Sequence, residues 1–435
     1  CFFNMDNLQS IKAQFIAQIN AYQPEKDRDI VVFQCNTETT FSLLAWLKAQ
    51  QYYPQFYLHG RDGATKWASI GQVRQFSDVS AAAHFIQEQQ LALLGGLQFY
   101  GDALFVLPRL LLQQRQDDMT ITLFIDGKQF EQDKLVALAC LSTFEKQTAL
   151  QTVKQEISLI SQKADQAEWC RWVEQGLQKI KQGELSKIVL ANERCFKTAA
   201  PLAATDLLAE SEKYNLGCYH FMLAESEQRA FIGSSPELLY RRHGLQLKTE
   251  ALAGTAFMGE DEQQNQQQSD WLLHDKKNEY ENQLVVDGIC QNLQPFVQQI
   301  TIEKVELKKL RKVQHLRRRI SAQLKAGCGD KDILLAMHPT AAVAGLPQLE
   351  AKQALRKLEN FDRTWYAGTL GVMGPAYADF CVTIRSAFIE QAENDSQLCV
   401  FAGAGIVEGS IPLLEWREIE RKAMGLVSLL QQNQL

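Results

Sequence analysis

Apolar residues along the chain recur with two periods, and the change from one to the other outlines its elements. Between Asp165 and Lys181 the residues Trp169, Trp172, Val173, Leu177 and Ile180 fall on one helical face, and Gly183 is placed to end that helix. From Ser186 to Phe196 the apolar positions crowd together instead, which predicts a buried strand. Strands are also predicted at 219–224, 229–232, 238–241 and 245–249, and the short turns between them favour antiparallel hairpins. Upstream, β-branched and aromatic runs at 30–33, 55–58 and 119–124 predict strands, while 8–19, 40–49 and 81–89 read as helices. Gly95 to Phe99 and Leu107 to Arg109 read as strand-edge and loop elements.

Further along, 255–270 is rich in Gln, Glu and Asp and reads as a mobile polar loop leading into one long helix over 271–297. Strands over 363–372 and 379–389 flank a Gly374-Pro375 turn. A strand over 398–403, a glycine turn and a helix over 412–430 close the pattern. No internal repeat is visible. Strands outnumber those of a simple βαβ series, so the expected fold class is α+β with antiparallel sheets.

A length of 435 residues exceeds the size at which one core usually stops growing, so one large or two modest domains are expected. The 46% of hydrophobic residues is enough for an ordinary globular core. A formal net charge of −6 argues against binding nucleic acid through a basic surface. The basic cluster Lys308 to Arg319 is interrupted by Val313, His315 and Leu316 and reads as one solvated helix face. The ten cysteines are scattered without a CxxC pair, so neither a zinc site nor a disulfide framework is expected, and reduced thiols in a cytoplasmic protein are the default. No apolar run approaches the roughly 18–20 residues that a membrane span needs, and the first residues lack the pattern of a secretory signal. Met5 reads as a natural start and residues 1–4 as a start-site artefact.

The densest candidate chemistry lies in Phe231 to Thr255, FIGSSPELLYRRHGLQLKTEALAGT. Glu237 follows Ser235 and Pro236 where an apolar run stops, so a turn presents it. Glu250 precedes Ala-Leu-Ala-Gly-Thr, small residues that let another group approach the backbone. An isolated Ser-Pro-Glu is more often a solvated surface hairpin, and only the rest of the chain argues otherwise.

On the predicted long helix Glu281 shares the face of Leu284, Val285 and Gly288, where a carboxylate is costly unless paired or metal-bound. On the last helix Glu415, Glu418 and Lys422 lie together, although Glu418 and Lys422 also make an ordinary i, i+4 pair. Carboxylates converging from two helices suit a hard cation such as Mg²⁺. Lys187, in Ser-Lys-Ile-Val-Leu, is a base candidate if desolvation or a nearby cation favours its neutral form; a strand-end lysine reaching for water is the commoner case. Ala402 to Gly405 continues with GxGxxxG spacing through Gly409 and lacks a βαβ unit, which excludes a dinucleotide loop, but its amides are candidates for cradling a carboxylate. Arg385, within Val-Thr-Ile-Arg-Ser, reads as an apolar-strand arginine of the kind that binds carboxylates through two bonds.

Taken in order, GELSKIVLA (183–191), IGSSPELL (232–239), TEALAGT (249–255), KNEYENQLVVD (277–287), VQHL (313–316), MHPTAAVAG (337–345), WYAGTLG (365–371), DFCVTIRS (379–386) and FAGAGIVEGSIPLLEWREIERK (401–422) resemble the chorismate-utilising enzymes. The resemblance covers about residues 165–430 and is specific as an ordered set. It implies two stacked, mainly antiparallel sheets flanked by helices, with 1–150 an N-terminal α/β part of the same fold and 165–430 the catalytic region. It implies chorismate as substrate and Mg²⁺ as cofactor. Lys187 would activate a water and Glu237 would protonate the departing C4 hydroxyl, while Glu281 and Glu418 hold the metal with Glu415 close by. Gly254, Thr255, Tyr366, Arg385, Gly405 and Lys422 match positions that line the pocket or contact substrate carboxylates. His315 and His338 match family histidines, the latter near the reacting ring.

Ala253 stands where aminodeoxychorismate synthases usually carry Lys, so a covalent amine is missing and water has room. Leu252 to Thr255 is similar to the isochorismate and salicylate synthase branch, and the long N-terminal region with LGGLQFY (94–100) and FVLPRLLL (105–112) resembles the isochorismate synthases of the menaquinone pathway. The alternatives are a salicylate synthase, which goes on to eliminate pyruvate, and a catalytically silent chorismate-binding homologue, against which the retention of Lys187, Glu237, Glu281 and Glu418 argues. No glutaminase subunit is expected, and the assembly implied is a monomer or homodimer. The chain departs from the family pattern at Ala251, at Ala341 to Gly345 and at Ser410 to Leu413, which bears on loop geometry but removes no proposed acid, base or ligand.

Overall fold

In the computed structural model, which describes residues 2–38 and 40–431, the strands form two sheets with antiparallel neighbours and helices packed around them. The larger, twelve-stranded sheet runs from 30–37 through 118–126, 110–115, 65–70 and 55–59 to 219–224, 229–235, 386–391, 396–406, 187–198 and 345–346, with 157–162 also on 187–198. The ten-stranded sheet runs from 297–302 through 313–324, 246–257, 238–243, 377–382 and 369–373 to 93–97, 103–107 and 74–76, with 306–309 also on 313–324. This is the α+β class expected from the excess of strands. One continuous apolar cluster packs residues of both sheets together.

Two neighbouring segments pass from one sheet to the other at the same place. Arg229–Ser235 of the larger sheet continues through Pro236 and Glu237 as Leu238–His243 of the smaller one. Beside it, Tyr377–Val382 of the smaller sheet continues through Thr383 to Arg385 as Ser386–Gln391 of the larger. Pro236 has no N–H to give a ladder, and Arg385 takes a left-handed φ of 52° that interrupts extended chain. The two crossings are laced across the gap: Val382 N donates to Glu237 O at 3.1 Å and Ser234 N to Arg385 O at 3.1 Å. The single strand expected over 379–389 is thus two strands in different sheets, and Arg385 sits between them rather than inside one.

Other expectations change for related reasons. The helix expected over 271–297 is two helices, Glu262–His274 and Lys276–Leu293, broken at Asp275, which caps the second by accepting from Asn278 N at 3.0 Å. The first begins inside the stretch expected as a polar loop, because Asp261 caps it through Gln263 N and Gln264 N at 2.8 and 3.3 Å and its sides are almost uniformly polar. The basic cluster at 308–319 is not helical. It spans strands Glu306–Lys309 and Val313–Leu324, in which Ile320, Ala322 and Leu324 are buried with the period of two. Trp365 to Ala367 forms a turn before Thr369–Met373, and Gly95 and Gly96 lie in a strand paired on both sides, not at an edge.

The register also places Cys195 opposite Cys399, with Cα atoms 4.0 Å apart, and the two form a disulfide. This corrects the expectation of free thiols throughout; a separation of 204 residues hid the pair from any spacing rule. Seven other cysteines are free, and Cys1, part of the stretch read as a start-site artefact, lies outside the described residues. Among the described residues no helix is long and apolar enough to cross a membrane.

Behind the 187–198 strand lies a fully buried ion pair. Arg363 donates through Nε to Glu359 Oε2 at 2.9 Å, through Nη2 to Val189 O at 2.6 Å and through Nη1 to Val343 O at 2.9 Å. Glu359 Oε1 accepts from Ala191 N at 2.9 Å. Burial raises the Glu359 pKa, while the Arg363 charge and hydrogen bond oppose it. Removing one partner strands the other charge in the core. Arg363→Ala is therefore expected to lower the unfolding free energy by about 3–5 kcal/mol, read from urea titration against the unaltered protein; an unchanged midpoint at equal slope would refute the role.

Candidate active site

The double crossing opens into a cavity. A second cavity adjoins it and shares Pro236, Arg385, Phe401 and Lys422. Only the first carries carboxylates in its wall, those of Glu237, Glu281 and Glu418, so the chemistry is placed there. Gly254, Thr255, Tyr366, Arg385, Gly405 and Lys422 also line it. Ala253 lines it too, so the position where related sequences carry Lys presents only a methyl group.

Lys187, Glu415 and His338 do not line this cavity directly. Lys187 lies beneath the wall, fully buried at the start of the 187–198 strand, with Nζ 3.0 Å from Glu281 Oε1. The contact lacks hydrogen-bond alignment, which leaves the buried Nζ without an aligned acceptor. Glu415 is buried at 3% exposure and bonded to Lys277 Nζ at 2.8 Å. His338 is engaged elsewhere: its Nε2 donates to the carbonyls of Gln98 and Phe99 at 2.9 and 3.2 Å, and burial pushes its pKa down to about 4. Its expected place near a reacting ring is not where the fold puts it.

Glu237 occupies the turn at the first crossing, with its N donating to Ser235 Oγ at 3.2 Å. Burial, and then the charge of Glu250, push its pKa up to about 8; Lys187, Lys422 and Arg61 pull the other way. A carboxyl held in this way keeps its proton at neutral pH.

The opposite wall is the 396–406 strand, which contains the Ala402 to Gly405 run expected as an amide-bearing loop. Gly405 pairs with Val189, and a Cβ there would sit 2.1 Å from Glu281 Oε1 and 2.9 Å from Lys187 Cε. Glycine therefore makes room for an acid and an amine above the strand. At Gly403 a Cβ would meet Tyr366 Oη at 2.7 Å, and the Tyr366 ring stacks on Phe401 with centroids 4.9 Å apart. Lys422 reaches over from the Pro412–Leu430 helix to donate to Gly403 O at 2.9 Å.

His315 Nε2 accepts from Arg385 Nη2 at 3.2 Å, so its Nδ1 carries the hydrogen shared with Thr255 Oγ1 at 3.1 Å. Burial and the positive charges of Arg385 and Lys422 hold the His315 pKa well below its usual value, in keeping with a neutral ring. The register of the 246–257 strand slips between Leu252 and Thr255. Asn282 secures that bulge, donating Nδ2 to the carbonyls of Ala251, Ala253 and Leu316 at 3.2, 3.1 and 3.1 Å, and Asn278 Oδ1 accepts from Thr255 N at 3.1 Å. Sequence reasoning passed over Asn278, Asn282, Lys277 and Arg61. For the two asparagines a clue was available, since both lie on the apolar face of Glu281 and Val285, where an unpaired amide is costly.

Each acid of the expected metal set is held by a lysine: Glu281 by Lys187 at 3.0 Å, Glu415 by Lys277 at 2.8 Å and Glu418 by Lys422 at 2.5 Å. The three do not converge to within 4.8 Å of one another in this arrangement. Burial first, then the nearby charge of Glu418, raises the Glu415 pKa to about 7. All three are hard oxygen donors, the chemistry that suits a hard divalent cation. Among the described residues the group that does converge is Glu193, Cys195 and Cys399, and its two sulfurs are bonded to each other.

The tightness at Gly405 yields a test. Gly405→Ala is expected to leave the fold intact but displace Glu281 and Lys187, lowering turnover by roughly 100-fold, the scale of an ångström-level misplacement. Turnover within a factor of two of the unaltered enzyme would show that this contact does not matter.

The sequence profile of the chorismate binding enzymes matches residues 96–431. The chain is 51% identical to isochorismate synthase MenF of Haemophilus influenzae over 97% of this chain and 98% of that protein. It is 38% identical to isochorismate synthase MenF of Escherichia coli over 90% of this chain and 91% of that protein. The solved structure of MenF, the menaquinone-specific isochorismate synthase from Escherichia coli, superposes with a TM-score of 0.90 at 35% identity, covering 98% of this chain and 100% of that one.

Proposed function

The chain belongs to the chorismate-binding enzyme family, and from that premise we propose that it is an isochorismate synthase of the menaquinone pathway. Water adds at ring C2 of chorismate, the two ring double bonds shift, and the C4–oxygen bond breaks, so that atoms balance with one water consumed and one released. The observation that carries the reading is Glu237: an acid that holds its proton up to about pH 8, in one cavity with carboxylates and the Arg385 guanidinium.

In this reading Glu237 gives its proton to the departing C4 oxygen, since a hydroxide-like leaving group needs an acid. Lys187, buried beneath the cavity wall beside Glu281, is assigned as the base that receives the proton of the attacking water. Arg385 and Tyr366 orient substrate carboxylates, the guanidinium through its two-pronged geometry. Neutral His315 keeps Arg385 and Thr255 in register. Ala253 leaves space for the water. Isochorismate synthases are metal-dependent. We take the metal as Mg²⁺, with Glu281 and Glu418 as ligands and Glu415 in support, because all are hard oxygen donors. When bound, the ion would neutralise and orient a substrate carboxylate.

Residues 1–150 and 165–430 are taken as one integrated unit, since 55–59 pairs with 219–224 and 93–97 with 369–373. The protein is taken as cytoplasmic, a monomer or homodimer, and independent of a glutaminase subunit.

The decisive assay supplies purified protein with chorismate and Mg²⁺ and resolves the products chromatographically, with a pyruvate-coupled readout in parallel. Isochorismate without pyruvate is expected; salicylate with pyruvate would move the chain to the eliminating branch, and an amine product requiring ammonium would overturn the reading. Lys187→Ala is expected to lower kcat by roughly 10²–10⁴-fold with Mg²⁺ binding retained, whereas substantial residual turnover would remove Lys187 from the base role. Glu281→Gln is expected to shift the Mg²⁺ titration upward, and an unmoved titration would refute it as a ligand.

The pH profile tests the acid. Glu237 is active when protonated and its pKa is raised, so activity is present below that value and lost above it. The kcat/KM ratio should therefore fall as pH rises through about 8. A profile flat to pH 9.5, roughly 1.5 units beyond, would contradict the assignment.

A further inference from the structure

We propose that the Arg61–Glu250 ion pair is the positioning element for the proton donor, fixing the Pro236 to Leu238 turn on both sides and holding a negative charge beside Glu237. The proposal rests on the reading of Glu237 as the acid.

Arg61 comes from the turn between strands Gln55–His59 and Thr65–Ile70, in a stretch of sequence without any recognisable catalytic pattern. That turn is closed by Gly60 N to Thr65 O and Gly63 N to Gly60 O, both at 2.9 Å. Glu250 stands on the 246–257 strand with its side chain 2% exposed. The guanidinium meets the carboxylate with both prongs, Nη1 on Oε1 and Nη2 on Oε2, the latter at 3.0 Å.

Both residues then reach the acid's own turn. Arg61 Nη1 donates to Pro236 O at 2.8 Å, and Glu250 Oε1 accepts from Leu238 N at 3.3 Å. The residues immediately before and after Glu237 are thereby tied to one ion pair. Pro236 offers no N–H, so its carbonyl is the polar backbone group through which it can be anchored.

The pair also sets the charge around the acid. Glu237 faces Lys187 from the 187–198 strand, Lys422 from the last helix and Arg61 from the 60–64 turn. Tyr366 faces it from the turn before the 369–373 strand and Arg385 from the segment after the 377–382 strand. Glu281 and Glu418 line the same cavity, and Glu250 is the acid whose charge acts on Glu237 and opposes the cations that draw its proton off. Arg317 Nη1, 3.8 Å from Glu250 Oε2, supports the pair from the adjacent strand.

The test uses the full chain with chorismate and Mg²⁺. Glu250→Gln removes the negative charge and leaves Arg61 unopposed; both changes favour the Glu237 carboxylate. The basic limb of kcat/KM should move down by about one pH unit, a tenfold smaller protonated fraction on that limb. Glu250→Asp keeps the charge but shortens the reach, so its limb should stay in place while kcat falls. Infrared titration of the protonated carboxyl band gives a readout independent of turnover, with Glu237→Gln as the identifying control.

A folded Glu250→Gln protein whose limb and band both match the unaltered enzyme overturns the proposal, leaving Glu250 a purely structural residue. If the band titrates unchanged in Glu237→Gln, the acid assignment itself fails and the proposal with it. If Glu250→Gln does not fold, Arg61→Lys carries the test, because it keeps the charge and loses the two-pronged contact. Reduced kcat with KM for chorismate little altered supports positioning, and unchanged kcat overturns it.

Discussion

Two β segments leave one sheet for the other side by side, and the site follows from that crossing. A backbone ladder cannot run continuously through a change of sheet, so it breaks at Pro236 on one segment and at left-handed Arg385 on the other. The two hydrogen bonds that lace the crossings keep the segments together while separating their side chains from either ladder. Glu237 and Arg385 are thereby delivered to the same gap from opposite sheets. The neighbouring strands are fitted to the space, through Gly403 and Gly405 on one side and the bulge held by Asn282 on the other.

Placing so many charges in an interior is costly unless each is matched. Glu359 has Arg363, Glu250 has Arg61, and each acid of the proposed metal set has its own lysine. Glu237 is the contrast. It has no ion-pair contact of this kind, is fully enclosed, and has the paired carboxylate of Glu250 nearby, so retaining its proton is its way of avoiding a buried charge. The same environment that would make it a poor structural acid makes it a usable proton donor.

Much of the local structure was legible because the patterns were short and one-sided. The Gln166–Lys181 helix, the 187–198 strand, the turn presenting Glu237 and the Pro412–Leu430 helix all lie where periodicity and turn chemistry place them. The errors share a cause. The 262–274 helix is polar around most of its surface, the 313–324 strand mixes arginines into a period of two, and the 377–391 stretch is apolar on both sides of a break marked by a single backbone angle. In each case the deciding contact is with a distant strand or a cap, which a local window does not contain.

The sequence by itself determined the family, through an ordered set of motifs, and with it the inventory of acids, the buried-strand lysine and the missing amine at Ala253. Those features are chemical identities, and identities are carried by single positions. Only the tertiary structure decided who meets whom: Arg61 with Glu250 across 189 residues, Cys195 with Cys399 across 204, and His338 with the Gln98 carbonyl instead of the cavity. Such pairings depend on strand register and on where the chain changes sheets, and register is fixed by the packing of all the strands at once.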